Sequence, residues 1–263
     1  MKHSNFKKRA MTSEQARKVR QKGHDDAREF AKLIGLKSDY KNDPKAKKDV
    51  IDLSGDAHSV KSGKKKWQIF LYSLSRFEND TIFKRLNGLG QLLLKCLKVF
   101  PDSFEDYKKD KQKYKNMLRR PMKELKQKLQ IKDTLRVFLE KSFFNAGEVT
   151  YLTIKNDNSF HVFHSRDVVK ILTDNIIVKN SKGEQKVIFK IKNTKKQTLS
   201  RFPYITIGEI EVRNDSTMHY REIKFWMSKK KTFTLLISNS QNFREVKNNL
   251  FVYGKALRTF HNF

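Results

Sequence analysis

The chain is poor in cysteine, proline and glycine, with one, four and ten of each among 263 residues, and it contains no long apolar run. Its single cysteine, Cys96, cannot form an intrachain disulfide, and zinc-ligand spacing is absent. So few prolines and glycines argue against long flexible linkers. The basic amino-terminal stretch is not followed by the apolar segment of a signal peptide. We therefore expect a cytoplasmic protein that does not cross a membrane.

Acidic residues are also scarce, since 28 Asp and Glu stand against 58 Lys and Arg, which gives a formal net charge of +30. A charge of this size repels itself unless a polyanion neutralises it. Nucleic acid is the polyanion that such a basic composition favours. An anionic membrane surface is the weaker alternative, because no segment places one basic face opposite one apolar face.

The hydrophobic pattern divides the chain into three parts. Helical spacing dominates a lysine-rich middle segment, and after Gly147 apolar and polar residues alternate with a period of two. We predict an α/β protein with an amino-terminal core at 1–102, a basic helical segment at 103–146 and a β-rich part at 147–263. The middle segment is either a solvated helical face or a helix that follows phosphates.

Local signals predict individual elements. Pro121 is expected to break the helical segment, because proline removes a helical hydrogen bond. The alternation in 232–238 indicates a strand, and 242–253 is predicted to form a short final helix. Residues 49–61 contain two short strands around a glycine turn, which is typical of a hairpin.

The hairpin carries the residues that point to chemistry. In its second strand Ser59 and Lys61 share a face, because side chains alternate along a strand. A three-residue loop places Asp49 opposite Lys61, whereas a two-residue turn places Asp52 opposite Ser59. In either register an aspartate reaches the lysine, as metal-assisted phosphodiester hydrolysis requires. The competing interpretation is a surface hairpin with an ordinary cross-strand ion pair.

This stretch resembles the core of the PD-(D/E)XK nucleases, which include most type II restriction endonucleases and the RecB-type exonucleases. The letters KKD at 47–49 and SVK at 59–61 match the two strand motifs, and QIFLY at 68–72 matches the Q-x-x-x-Y pattern of the RecB-like branch. The resemblance covers roughly residues 20–77. It implies a restriction-endonuclease-like core, in which a mixed sheet is flanked by helices and the Q-x-x-x-Y pattern lies on a helix.

The resemblance also implies roles for single residues. Asp49 binds Mg²⁺, Lys61 assists the attack on phosphorus, and Gln68 orients Lys61 or a phosphate. Ser59 stands where the family has an acidic residue, and this departure leaves the second carboxylate unassigned.

Four acidic residues are candidates for the missing carboxylate. Asp52 or Asp56 of the hairpin could supply it as a metal ligand. The preceding helix offers Glu29 or Asp26, of which Glu29 is the preferred support for a metal-bound water. The alternative interpretation is that Glu29 is an ordinary helix residue exposed to solvent.

The β-rich part offers residues suited to reading DNA. Arg213 and Arg221 can make bidentate contacts to guanine, and His219 shares a strand face with Arg221. Lysines suited to phosphate contacts are Lys229, Lys230 and Lys231 in this part, and Lys64 and Lys65 directly after the hairpin. The alternatives are a non-specific basic sheet face and, less favoured, a second acidic site formed by Glu209 and Glu211.

These observations together predict a type II restriction endonuclease that hydrolyses phosphodiester bonds of double-stranded DNA at a specific sequence with Mg²⁺. A palindromic target implies a homodimer, and such a system includes a cognate DNA methyltransferase. The main alternative is a non-catalytic basic protein that binds DNA or RNA, with a regulator or a repair exonuclease between the two.

Overall fold

A computed structural model describes residues 12–43, 47–63, 65–193 and 203–261, so the predicted phosphate contact Lys64 lies outside the described residues. Within them the protein is mixed α/β, with two sheets flanked by helices. This confirms the predicted class. In the described part of the chain, no helix has the length and apolar character needed to span a membrane.

The helices are α1 Ser13–Leu33, α2 Leu74–Asn79, α3 Thr81–Arg85, α4 Leu89–Lys98, α5 Phe104–Lys109, α6 Lys111–Gln130, α7 Lys132–Phe144, α8 Ser165–Asn175, α9 Lys229–Asn239 and α10 Ala256–Thr259. The strands are β1 Val50–Ile51, β2 Ala57–Lys61, β3 Lys66–Ser73, β4 Tyr151–Asn156, β5 Ser159–His164, β6 Ile177–Asn180, β7 Lys186–Lys192, β8 Tyr204–Asn214, β9 Tyr220–Ser228, β10 Phe243–Lys247 and β11 Leu250–Tyr253. Helices α2 to α7 follow one another between β3 and β4, and strands and helices are mixed elsewhere.

The first sheet has the order β1-β2-β4-β5-β11-β10 and is mixed, since β2 runs parallel to β4 and β5 parallel to β11. The second sheet has the order β3-β9-β8-β7-β6 and is antiparallel throughout. The chain passes from one sheet to the other directly after β2. There the Trp67 indole N–H donates to the Ser62 carbonyl oxygen at 2.9 Å, so the two sheets meet next to Lys61.

Strand pairing crosses both predicted segment boundaries. Strand β2 pairs with β4, and β3 pairs with β9, so both sheets combine strands from before residue 102 and after residue 147. The larger core cluster draws on all three segments, as Phe83, Phe138 and Phe225 show. The basic helices thus share a core with the strands on either side of them.

Several local predictions are wrong, each for a tertiary reason. Pro121 lies inside a continuous α6, where it is buried among apolar neighbours such as Met122. The stretch 232–238 belongs to α9, because Thr232 and Leu236 are buried at helical spacing. Residues 242–253 form the β10–β11 hairpin instead of a helix, since β11 gains a parallel partner in β5.

Helix α1 covers one face of the first sheet at the hairpin. Thr12 caps it and forms a capping box with Gln15, which fixes the start of the helix. Its carboxyl-terminal half buries Phe30, whose ring lies 5.0 Å from that of His58 on β2. The preceding turns are mostly exposed.

Candidate active site at the edge of the first sheet

The β1–β2 hairpin forms as predicted, but neither predicted register is present. Val50 pairs with His58, and a five-residue connection joins the two strands. Asp52 explains the longer loop, because its Oδ1 accepts the backbone N–H groups of Ser54 (2.9 Å) and Asp56 (3.0 Å). Its side chain thus stabilises the turn.

The carboxylate of Asp49 nonetheless reaches the predicted lysine. Its Oδ2 accepts the Val60 backbone N–H at 2.8 Å and lies 3.4 Å from the Ser59 hydroxyl oxygen and 3.8 Å from Lys61 Nζ. The other oxygen, Oδ1, accepts no hydrogen bond from any residue that the structure describes. Both charged side chains are partly exposed, 28% for Asp49 and 22% for Lys61, so a ligand can reach this pair.

The carboxylate lies at the outer edge of the sheet, between its two faces. An open cavity of about 350 Å³ adjoins it on the α1 side, and its lining includes Arg20, Gly23, His24, Tyr40, Asn42 and Asp49. Lys61 belongs to the other face, because β2 directs His58 towards Phe30 of α1 and alternates along the strand. The Asp49 carboxylate therefore lies between the cavity on one face of the sheet and Lys61 on the other.

Lys47 is a residue that sequence reasoning missed at this site. Its ammonium group donates to the carbonyl oxygens of Ile69 on β3, at 3.2 Å, and of Ser142 on α7. Burial, reinforced by the nearby Lys61, lowers the pKa of Lys47 to about 7. The segment before Asp49 is thereby tied to the second sheet and to α7. No local signal marks it, since both partners are distant in sequence.

Glu29 does not join Asp49 in the structure. Its carboxylate pairs with Lys155 on β4 at 2.6 Å, and Asp26 pairs with the same ammonium at 2.8 Å. The lysine's partners lie on α1, which covers the face opposite to Lys61. Glu29 is therefore not placed to support a metal-bound water at Asp49, the role that the sequence predicted for it.

The hairpin aspartates do not supply a second carboxylate either. Asp52 is buried, and its Oδ2 lies 3.2 Å from His58 Nε2, while its Oδ1 is used in the turn. Asp56 accepts a hydrogen bond from the Thr150 hydroxyl at 2.8 Å. Both residues fix the loop, so Asp52 is not placed as a metal ligand.

Gln68 lies on β3 and not on a helix, which corrects the predicted setting of the Q-x-x-x-Y pattern. Its backbone is paired with Trp226 next to a bulge, and its side chain is exposed. Among the described residues, no hydrogen bond joins the Gln68 side chain to Asp49 or Lys61. The predicted orienting role is thus not visible in this geometry.

The predicted DNA-binding residues fall at two ends of the second sheet. Strand β9 runs from Tyr220 to Ser228, which separates its ends by about 26 Å at roughly 3.3 Å per residue. The lysine end lies beside the candidate site: the Lys229 backbone N–H donates to the Lys65 carbonyl at 3.1 Å. Lys230 follows on α9, and Lys231 Nζ donates to the Thr206 carbonyl at 2.6 Å.

The arginine end is the more distant one, and its polar side chains already have partners. Arg213 makes two hydrogen bonds to Asp215, at 3.0 and 2.7 Å, and His219 Nδ1 lies 2.9 Å from Glu222. The Arg221 guanidinium contacts the exposed carboxylate of Asp102, while its Nε is buried without a partner among the described residues. These groups must exchange partners before they can contact a base.

The carboxylates at 209 and 211 form an ion cluster rather than an open acidic site. Lys186 Nζ lies 2.7 Å from Glu209 and 2.5 Å from Glu211. Lys224 approaches Glu211 at 4.0 Å. Cations thus neutralise both acids.

The side chains available as metal ligands decide whether the site can bind the predicted Mg²⁺. No group of three or more metal-ligating side chains occurs in the described part of the chain. Mg²⁺, however, commonly binds through one or two carboxylates together with waters and substrate phosphates. The Oδ1 atom of Asp49, which accepts no hydrogen bond within the described residues, fits that mode, in which substrate completes the coordination.

Comparison of the chain with protein-family models, curated proteins and solved structures finds no match. The chemistry of the site must therefore be argued from its own residues.

Proposed function

We propose that this protein is a Mg²⁺-dependent endonuclease that hydrolyses phosphodiester bonds of double-stranded DNA at a specific sequence, as a type II restriction enzyme does. The observation that carries the proposal is the approach of Lys61 Nζ to within 3.8 Å of the carboxylate of Asp49, which lines an open cavity and whose Oδ1 accepts no hydrogen bond from any described residue. The pair is loose and partly exposed, as expected of groups that await a substrate.

Each side chain has a distinct part in the proposed reaction. Asp49 supplies the Oδ1 atom that holds the metal, and the backbone N–H of Val60 fixes the orientation of its carboxylate. Lys61 donates to the charge that develops on the phosphate oxygens, where a positioned donor acts mainly on the transition state. Ser59, fully buried beside Asp49, adds a hydroxyl group at the position of the family's acidic residue.

Bound Mg²⁺ supplies two things to such chemistry, neutralisation of phosphate charge and a lower pKa of water. The chain itself supplies the positive environment. Lys65 and Lys229 meet at the neighbouring end of the second sheet, where they can contact phosphates next to the site. The net charge of +30 supports a polyanionic substrate in the same way.

The alternative, a non-catalytic protein that binds DNA or RNA, has its own supporting observation. The carboxylates that could complete a metal site are used elsewhere, Glu29 by Lys155 and Asp52 by His58 and its own turn. On this view the contact between Asp49 and Lys61 is an ordinary ion pair. Both functions predict tight binding to nucleic acid, so only cleavage separates them.

The decisive experiment incubates the protein with unmethylated bacteriophage DNA and Mg²⁺, with and without a chelator. Discrete fragments that require the metal support the proposal, and protection by methylation would connect it to a cognate methyltransferase. A smear indicates a nuclease without sequence specificity. Tight binding without cleavage in Mg²⁺ or Mn²⁺ favours the non-catalytic alternative.

A matched pair of variants assigns the cleavage to the site. Asp49→Asn keeps an oxygen that can accept the Val60 N–H but removes the negative charge, so cleavage should be lost while the fold is retained. Asp39→Asn makes the same chemical change at an exposed position in the loop after α1 and should cut like the parent protein. Equal activity in the two variants would show that cleavage occurs elsewhere.

A further inference from the structure

The cavity beside Asp49 is built from residues that the proposed chemistry does not use. Arg20 and His24 lie one turn apart on α1, so their side chains emerge on one side of the helix about 5–6 Å apart at Cβ. Tyr40 and Asn42 line the same cavity from the loop after α1, and Asp49 is also part of the lining.

Gly23 is the independent observation. It lies in the interior of α1, where glycine destabilises a helix relative to alanine. Packing does not explain it, because a Cβ at this position would meet no atom of the described residues within 4 Å. Gly23 lines the cavity between Arg20 and His24. Close approach of the backbone to a ligand is one setting in which glycine is preferred, and the open space at Gly23 leaves room for such a ligand.

We infer that this cavity binds a phosphodiester group of the substrate strand, with Arg20 and His24 as its donors and Gly23 as the point of closest approach. Arginine is suited to this ligand because its planar fork can donate two hydrogen bonds to one phosphate.

The inference rests on the proposed function, in which Asp49 lies next to the scissile phosphate. A strand held at Arg20 and His24 places an adjacent phosphodiester beside Asp49, at the other part of the cavity lining. Arg20, Gly23 and His24 are therefore positioning residues that fix where the strand passes the site.

The experiment compares Gly23→Ala, Arg20→Ala and His24→Ala with Arg17→Ala, an exposed arginine on the same helix that does not line the cavity. Melting temperature, affinity for a DNA duplex in Ca²⁺ and single-turnover cleavage in Mg²⁺ are measured for each variant. Gly23→Ala should raise the melting temperature but weaken binding and cleavage, because the added methyl group occupies the path of the strand. Cleavage should fall by up to about 100-fold, as for a misplaced substrate.

Arg20→Ala should lower the salt slope of binding by about 1, as expected when one phosphate contact is lost. His24→Ala should weaken binding and cleavage, and Arg17→Ala should leave all three measurements unchanged. If Gly23→Ala is more stable and cuts like the parent protein, or if Arg17→Ala and Arg20→Ala behave alike, the inference fails while the proposed nuclease stands. If the parent protein binds but never cuts, yet Gly23→Ala and Arg20→Ala still weaken binding, the proposed function fails and the phosphodiester site stands.

Discussion

Replacing Lys61 by alanine should abolish cleavage and leave DNA binding nearly intact. The protein contains 58 Lys and Arg, so the loss of one phosphate contact should change the salt slope of binding by only about 1. A donor that acts on the charge of the transition state is worth roughly 10²–10³ in rate. The two effects therefore differ enough in size to be separated.

Lys224 provides the matched control for this substitution. It is also a strand lysine in one loose ion pair, 4.0 Å from Glu211 against 3.8 Å between Lys61 and Asp49. Its side chain is 29% exposed, close to the 22% of Lys61. Such partly exposed pairs contribute about 0–1 kcal/mol to stability. Both variants should thus remain folded, and Lys224→Ala should cut at the parental rate.

The assay is single-turnover cleavage with enzyme in excess over a labelled duplex, together with binding in Ca²⁺. Enzyme in excess removes the contribution of turnover and product release, so the rate reports the step at the bound phosphate. If Lys61→Ala and Lys224→Ala lose rate equally, or if the rate of Lys61→Ala falls only in proportion to binding, then Lys61 is one more positive charge and the proposed mechanism is wrong.

Three further outcomes are expected. DNA affinity should fall on the order of 10³–10⁵ between 50 and 200 mM salt if about 6–10 phosphates are neutralised, and a flat titration would exclude nucleic acid as the polyanion. Arg221→Ala should cost about 1–3 kcal/mol of discrimination between sites, and an unchanged fragment pattern would remove Arg221 from the reading surface. Burial, aided by Lys229, lowers the pKa of His161 to about 4. Because the unfolded imidazole titrates near 6.5, the stability contributed by the neutral His161 should be full above that pH and decline as pH falls towards 4, by at most about 2 kcal/mol between pH 7 and 5. Thermal denaturation should show this decline in the parent protein and a smaller one in His161→Gln.

The sequence was sufficient to predict the hairpin, where the signal was local. The alternation in β2 correctly placed Ser59 and Lys61 on one face, and the glycine turn correctly placed an aspartate strand beside them. The register was not predictable, because the Asp52 side chain forms hydrogen bonds that lengthen the loop. The contact between Asp49 and Lys61 forms despite this change of register, because it depends on the reach of the lysine side chain more than on the pairing of two residues.

Predictions failed where a distant partner decides the outcome. Glu29 has the spacing of an exposed helix residue, but its ammonium partner, Lys155, lies 126 positions later in the chain. Lys47 is one of many lysines in the sequence and gains a role only because Ile69 and Ser142 fold against it. Likewise the pattern at 242–253 fits a helix or a strand, and a parallel partner in β5 selects the strand.

The position of Asp49 connects the fold to the proposed chemistry. The backbone of Lys48 exchanges hydrogen bonds with Asp43, at 2.9 and 2.6 Å, and this leaves the Val60 N–H to the carboxylate of Asp49. One oxygen of that carboxylate thereby completes the hydrogen bonding of the sheet edge, where a buried N–H without a partner would destabilise the fold. The other oxygen, Oδ1, accepts no hydrogen bond from β1 or β2 within the described residues. The need to pair the Val60 N–H in the folded state thus fixes the orientation of the Asp49 carboxylate. The proposed reaction uses the second oxygen of that carboxylate.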